Sequence, residues 1–292
     1  MNILAPKHSH HDYTLLDSGN GHRLEQFGTR RIIRSDATCI WQPNDKSLWA
    51  RVDLTCTKNP QGGGYRWREQ DKISSSDAWT YTYNHPALRP LTFALRSNEH
   101  SKNVGIFPEQ AAHWDWLGTQ LSEATTTPNI LNLFAYTGGA TLVAAAAGAQ
   151  VCHVDAAKSM VTWAKQNAEA NGLAEAPIRW IAEDCLAFMN REIKRGKKYD
   201  GIIMDPPAFG RDPQGNVFNF ETAIDPLLEA AEKLLTPNGF LLLNAYSIPF
   251  YAMHIANVVR NRFPLKSIIS GELHLRNKEG YDLPCNVFVK AS

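Results

Sequence analysis

The stretch Ile130–Asp155, ILNLFAYTGGATLVAAAAGAQVCHVD, decides the fold. Its apolar run Ile130-Leu131-Asn132-Leu133-Phe134 reads as a buried strand. The run stops at a small-residue turn, Ala135-Tyr136-Thr137-Gly138-Gly139, and the alanine-rich segment Ala140–Gly148 then reads as a helix. A second apolar strand, Val151–Val154, ends on Asp155. Strand, glycine turn, helix, strand and acid make a βαβ unit suited to adenosine. Glycines let the backbone approach the ligand, and the acid at the second strand tip accepts from ribose hydroxyls. The turn is neither G-x-G-x-x-G nor G-x-x-x-x-G-K-[ST], so it carries no pyrophosphate fingerprint and no P-loop. An adenosine ligand without a pyrophosphate points to S-adenosylmethionine. The bland alternative is the same unit with nothing bound.

A second segment narrows the choice. Tyr199–Met204 is another buried strand, and it breaks at Asp205-Pro206-Pro207-Ala208-Phe209. Two prolines cannot continue a central strand, because each lacks an N–H for the ladder. The chain therefore turns out at the carboxyl end of the sheet, where ligands of open α/β sheets sit. Such Asp-Pro-Pro-aromatic elements resemble those of methyltransferases acting on nucleic-acid bases, although the aromatic here comes one residue late. In that role Asp205 and the Pro206 and Pro207 carbonyls face the base edge, and Phe209 stacks on the displaced base. A simple strand-terminating turn is the competing explanation.

The remaining elements follow in α/β order. Ala156–Gly172 has helical spacing at Met160, Val161, Ala164 and Ala168, ending at Asn171-Gly172. Ile178–Ile181 is a short strand followed by Ala182-Glu183-Asp184, and Ala187–Lys198 reads as a helix. Pro226–Leu235 is expected to be the next helix, with Pro237-Asn238-Gly239 as a stop and turn. Phe240–Leu243 is expected as a strand and Tyr251–Phe263 as a helix; Leu273–Leu275 and Cys285–Lys290 are expected as a terminal antiparallel pair.

From about Leu95 onward the chain resembles class I S-adenosylmethionine-dependent methyltransferases. Within these it is most similar to the bacterial large-subunit (23S) ribosomal RNA enzymes, which modify cytosine C5 or guanine N7. Lys102–Gln110 resembles the K-T-G-F-F-x-D-Q stretch that closes over the cofactor, Leu131–Gly139 resembles L-N-L-F-x-Y-T-G-G, and Asp205–Phe209 resembles D-P-P-x-F. The resemblance implies a Rossmann-like α/β fold with a seven-stranded sheet and helices on both faces. It implies cofactor contacts from Phe107, Gln110, Phe134, Ala135, Tyr136, Thr137, Gly138, Gly139, Asp155, Ala156, Asp184, Cys185 and Asp205, with Asp184 taking the adenine amine. Asp205, Pro206, Pro207 and Phe209 would form the catalytic face.

One departure bears on the chemistry. Enzymes that methylate cytosine C5 first add a thiolate to the ring, and in the resembling family that thiol follows the strand reading here Leu241–Ser247. No cysteine stands there; the five are Cys39, Cys56, Cys152, Cys185 and Cys285. Cys152 lies in an expected buried strand, Cys185 follows Asp184, and Cys285 is expected to pack, with a place near the cleft as the alternative. The expectation is therefore direct transfer to guanine N7 or an exocyclic amine. Protein or small-molecule methylation is the runner-up, and non-catalytic binding of cofactor and RNA is a third reading.

Composition is compatible with these expectations. The 292 residues, 43% hydrophobic, are enough for one large core and a smaller domain. No apolar run approaches the roughly 18 residues that span a membrane. No signal peptide is expected, and the odd cysteine count without C-x-x-C implies the reducing cytoplasm and no structural zinc. His8-Ser9-His10-His11 is read as a polar tail rather than a metal site. The net charge of +1 hides an asymmetry: residues 1–105 carry 14 Lys/Arg against 10 Asp/Glu, and the rest 16 against 19. That first part also holds Trp41, Trp49, Trp67 and Trp79, Tyr65, Tyr81 and Tyr83, a glycine turn at Gln61–Gly64 and the basic run Arg30–Arg34. It is expected to be a β-rich domain over residues 1–100 that contacts RNA, followed by a methyltransferase domain over 101–292, with the border in Ser97–Gly105. The alternative is that its aromatics form their own core.

Overall fold

The computed structural model describes residues 2–7, 11–62, 64–69, 79–97, 101–211, 217–246, 248–277 and 280–292. The histidines at 8 and 10, Gly63, the border residues 98–100 and Ser247 lie outside this set. Two compact units divide the chain. The larger comprises Met1–Leu4, His113–Leu273 and Cys285–Ser292, and the smaller comprises Ala5–Ala112 and His274–Pro284.

The strand β1 (Asn2–Leu4) opens the chain and belongs to the larger unit. In the smaller unit β2 (Tyr13–Gly19), β3 (His22–Phe27), β4 (Arg30–Ser35), β5 (Leu54–Lys58) and β6 (Tyr65–Glu69) form a five-stranded sheet in sequence order. A separate pair joins β7 (Trp79–Tyr83) to β8 (Leu91–Leu95). Alternation in these strands buries one side: Phe27, Ile32, Leu54, Cys56, Tyr81, Tyr83, Phe93 and Leu95 are all fully inside. The buried side also holds Glu25, which accepts from Arg34 Nε at 2.6 Å, Arg34 Nη2 at 2.7 Å and Tyr13 Oη at 2.9 Å. Such a charge is tolerable inside only because it is paired and hydrogen-bonded.

The larger unit continues with α1 (Ala111–Ser122, whose first residues belong to the smaller unit), β9 (Asn129–Leu133), α2 (Gly139–Ala146) and β10 (Gln150–Asp155). Next come α3 (Lys158–Ala170), β11 (Ile178–Ala182), α4 (Cys185–Lys194) and β12 (Tyr199–Met204). A short hairpin of β13 (Phe209–Arg211) and β14 (Val217–Asn219) precedes α5 (Phe220–Leu234), β15 (Leu235–Tyr246) and α6 (Ala252–Arg262). The chain closes with β16 (Ile268–Leu275) and β17 (Leu283–Ala291). The sheet order is β1-β16-β17-β15-β12-β9-β10-β11. It contains the seven strands expected and an eighth, β1, which pairs in parallel with β16.

The central strands are buried on both faces because helices cover both. On one face Leu131, Leu133, Val154 and Met204 pack in a common core with Phe188 of α4, Leu227 of α5 and Val259 of α6. On the other, Asn132 donates to Thr141 of α2, and His113 of α1 bonds Asn244 of β15.

Two expected boundaries move. The helix expected from Pro226 begins at Phe220, and Pro226 lies inside it. Asn219 caps the earlier start by accepting from Glu221 N at 2.8 Å, a stronger initiation signal than the proline. Pro237-Asn238-Gly239 does not end the element: β15 runs through it. The register against β12 passes from Tyr199↔Leu235 to Gly201↔Phe240, so the proline and glycine are absorbed as an irregularity.

Candidate active site

Strand order reverses between β9 and β12: β9, β10 and β11 step one way across the sheet, and β12 returns to the other side of β9. The crevice outside the carboxyl ends at such a reversal is where open α/β sheets bind ligands. Phe134–Gly138 leave β9 at this point, and Asp205–Pro207 leave its neighbour β12, in register through Leu133↔Met204.

The turn after β9 is held in an unusual conformation. Phe134 and Tyr136 have φ of 54° and 49°, and Gly138 has 93°. A non-glycine residue in this left-handed region costs roughly 1–2 kcal/mol, so something must hold it. Asp155 is one restraint on Tyr136. Its Oδ2 accepts from Tyr136 N at 2.8 Å and its Oδ1 from Ala157 N at 2.9 Å. Each oxygen keeps a further lone pair. Burial pushes the Asp155 carboxyl above the ordinary 3.8, and the two N–H donors pull back against it. Beside it, Phe134 N donates to Cys185 Sγ at 3.4 Å, and Ala135 N donates to Val154 O at 3.1 Å. Asp184 caps α4 by accepting from Ala187 N at 2.8 Å through Oδ1.

The glycines have a reason the sequence did not reveal. A Cβ on Gly139 would lie 2.4 Å from Trp114 Cζ2, and one on Gly138 would lie 3.0–3.1 Å from Leu142 and Ala164 side chains. Packing of α1 and α3 against the turn thus demands both glycines without any ligand.

Beyond β12, Pro207 makes a parallel bridge to Tyr246 at the end of β15. Phe209 is 58% exposed on the β13–β14 hairpin, and Phe218 of that hairpin meets Phe134 edge-on at 5.3 Å. The structure therefore brings Phe134–Gly139, Asp155, Ala156, Asp184, Cys185 and Asp205–Pro207 to one end of one sheet. Phe107 and Gln110 belong to the smaller unit, where Phe107 O accepts from Gln110 N at 3.0 Å.

Reading the sequence missed the polar pair behind β15. His113 Nε2 lies 2.9 Å from Asn244 Oδ1, and burial drives the imidazole down to about 3, so it stays neutral. A histidine on an unrecognised helix gave no signal. The aromatics of residues 1–105 are largely structural: Trp79, Tyr81 and Tyr83 are buried, Trp41 Nε1 donates to Ser18 O, and Trp49 Nε1 donates to Asp17. Four cysteines are buried and Cys285 is half-buried. Among the described residues no three His, Cys, Asp or Glu side chains converge as a metal site, and no helix is long and apolar enough to cross a membrane.

A mostly parallel sheet with this strand reversal, one antiparallel strand (β17), a glycine turn after β9 and an acid at the end of β10 defines a Rossmann-like class I methyltransferase fold. The chain belongs to the S-adenosylmethionine-dependent methyltransferases, whose family model matches residues 78–253, and S-adenosylmethionine is its methyl donor. It is 36% identical to a SAM-dependent methyltransferase from Agrobacterium tumefaciens, whose crystal structure superposes with a TM-score of 0.91 over 100% of this chain and 93% of that one. It is 36% identical over 118 residues to ribosomal RNA large subunit methyltransferase K/L of Methylococcus capsulatus, covering 40% of this chain and 16% of that protein. It is 28% identical over 151 residues to methyltransferase K of Neisseria meningitidis serogroup B, covering 51% of this chain and 42% of that protein. The chain thus spans less than half the length of these two relatives.

Proposed function

We propose that the protein methylates a nucleic-acid base, in ribosomal RNA, by direct in-line transfer without a cysteine nucleophile. The observation that carries this reading is the Asp205-Pro206-Pro207 turn at the strand reversal, tied to β15 through Pro207 and followed by the exposed ring of Phe209. The names of the relatives, ribosomal RNA methyltransferases, point the same way.

S-adenosylmethionine supplies a methyl group already activated by its sulfonium, so the chain's task is positioning. The Phe134–Gly139 turn forms the methionine side of the pocket; Phe107 and Gln110 are assigned to that side on the resemblance alone. Asp155 and Ala156 take the ribose, and Asp184 and Cys185 border the adenine. The lone pairs left on Asp155 and on Asp184 Oδ2 fit hydroxyl and amine donors. Asp205 accepts a proton-bearing edge of the target, and takes the proton when an exocyclic amine is methylated; guanine N7 has none to give. The Pro206 and Pro207 carbonyls orient the base, and Phe209 stacks on it. Burial holds the thiols of Cys39, Cys56 and Cys152 up at about 12 and that of Cys185 well above its usual value, which disfavours the thiolate that cytosine C5 chemistry requires.

RNA backbone contact falls to the smaller unit. On its five-stranded sheet, the face opposite Trp67 carries Arg66 and Arg68, both exposed and in register with Thr57 and Thr55, and Arg31 two strands away. Reducing cytoplasm is the compartment that suits five free cysteines. The test is incubation of RNA from a strain lacking this gene with the protein and labelled cofactor, followed by nucleoside mass spectrometry. Label in methylguanine or N-methylated adenine is expected. Label only in protein, or in 5-methylcytosine, would refute the proposal.

A further inference from the structure

Among the described residues seven large apolar side chains stand exposed on the larger unit; Ile3, Leu265 and Ile269 lie elsewhere, and the other four share one place. Phe209, Val217, Tyr251 and Met253, at 58%, 54%, 76% and 62% exposure, all lie on the connections that leave the carboxyl ends of β12 and β15. These connections are joined: Pro207 bridges to Tyr246, Phe220 N donates to Ala208 O at 3.1 Å, and the Phe220 and Phe250 rings lie 6.5 Å apart. They form a rim beside the Asp205–Pro207 turn.

Tyr251 is the most exposed aromatic on that rim, and it is held in place. Its ring stacks on His254 at 5.6 Å with 24° between planes. His254 is itself fixed, because its Nδ1 accepts from Tyr251 N at 3.2 Å and Phe250 packs tilted against it at 6.2 Å. One side of the phenol therefore rests against a hydrogen-bonded neighbour, and most of the ring stands open to solvent. A rigid ring with one open face takes a planar partner at little entropic cost. Tyr251 is also the N-cap of α6, the end of a helix that favours a nearby phosphate.

Resting on the RNA reading above, we propose that the open face of Tyr251 is a stacking subsite for an unpaired nucleobase adjacent to the target base. A base drawn out of its strand leaves its neighbour unstacked, and a second aromatic on the same rim replaces the missing stack. The subsite reads no sequence, since every base has a π-face. Its effect is to favour single-stranded or looped RNA over duplex.

The probe is a fluorescein-labelled adenine oligoribonucleotide, single-stranded or annealed to its complement, with binding read by anisotropy. Tyr251→Ala should weaken single-strand binding roughly five- to 150-fold, the span of one base–aromatic stack. Tyr251→Phe, which keeps the ring, should bind like wild type, and affinity for the duplex and for S-adenosylmethionine should be unchanged in both. Single-strand affinity unchanged in Tyr251→Ala overturns the subsite, as does an equal loss for duplex and single strand. Failure of the wild-type protein to bind single-stranded RNA at all would instead overturn the RNA reading on which the subsite depends.

Discussion

Replacing Asp155 by alanine tests the cofactor site most directly. The carboxylate accepts from Tyr136 N at 2.8 Å and Ala157 N at 2.9 Å, and its remaining lone pairs are assigned to the ribose. A charge-assisted hydrogen bond contributes about 1.5–3 kcal/mol, so removing the bond to the ribose alone should raise the dissociation constant for S-adenosylmethionine roughly ten- to 150-fold. A second effect adds to it. With the acceptor gone, the 2.8 Å bond that helps hold Tyr136 at φ 49° is lost, and the turn relaxes away from its binding geometry. Asp155→Asn keeps one acceptor oxygen and should fall between the two. Wild-type affinity should also decline as pH falls. Burial raises the Asp155 pKa, so the ionised acceptor is lost at a higher pH than for an ordinary carboxylate. Titration calorimetry on variants with intact circular dichroism is the assay. A dissociation constant for Asp155→Ala within twofold of wild type would remove Asp155 from the cofactor site and refute its bracing of the turn as well.

Four further outcomes are expected. Asp205→Ala should leave S-adenosylmethionine affinity nearly intact while depressing methyl transfer; parallel loss of both in calorimetry and turnover assays would move Asp205 to the cofactor site. Replacing all five cysteines should leave measurable transfer, and RNA containing 5-fluorocytosine should form no covalent adduct by mass spectrometry; an adduct at Cys285 would restore cytosine C5 chemistry. Glu192, fully buried, resists the upward push of burial because Arg179, Tyr199 and Arg195 donate to it, and its carboxyl sits at about 2 against an ordinary 4.5. That stabilisation is present above pH 4.5 and lost as pH falls towards 2, so urea unfolding of Glu192→Gln should show lower stability at neutral pH, by about 3 kcal/mol, and a flatter acid limb. Replacing Arg66 and Arg68 by glutamine should weaken RNA binding and lower the slope of log affinity against log salt by about 0.7 for each phosphate no longer neutralised; an unchanged slope would remove this face from the RNA path.

What the sequence made legible was local. The run from Ile130 to Asp155 alternates strand, turn, helix and strand so cleanly that β9, α2 and β10 follow from hydrophobic pattern and glycine position alone. Met204 to Pro207 was equally clear, since two prolines leave a central strand no choice. Long-range demands were invisible. Gly139 looks like a ligand glycine until Trp114 is seen against it, and Asn244 looks like a strand residue until His113 is seen to occupy it. Pro226 pointed to a helix start because proline is favoured there, yet Asn219 had already begun the helix. Of the seven rings that suggested a binding surface in the first third, Trp79, Tyr81 and Tyr83 are buried in the unit's own interior, and Trp41, Trp49, Tyr65 and Trp67 are half-buried.

The pairing of Asn2, Ile3 and Leu4 with Gly271, Glu272 and Leu273 sets a timetable for biosynthesis. A ribosome delivers residues 2–4 long before residues 271–273, so this outermost strand waits for its partner while the rest of the sheet is made. Residues 5–112 likewise emerge well ahead of the segments that complete either unit, because the smaller unit also needs 274–284 and the larger needs 285–292. Pairings between such distant positions form slowly, since the loop they close spans most of both units. The nascent chain therefore carries an unsatisfied sheet edge until β17 is free of the ribosome, because β1 and β16 join the other strands only through it. A stop codon placed between residues 273 and 284 would strand both units at once rather than trim one end.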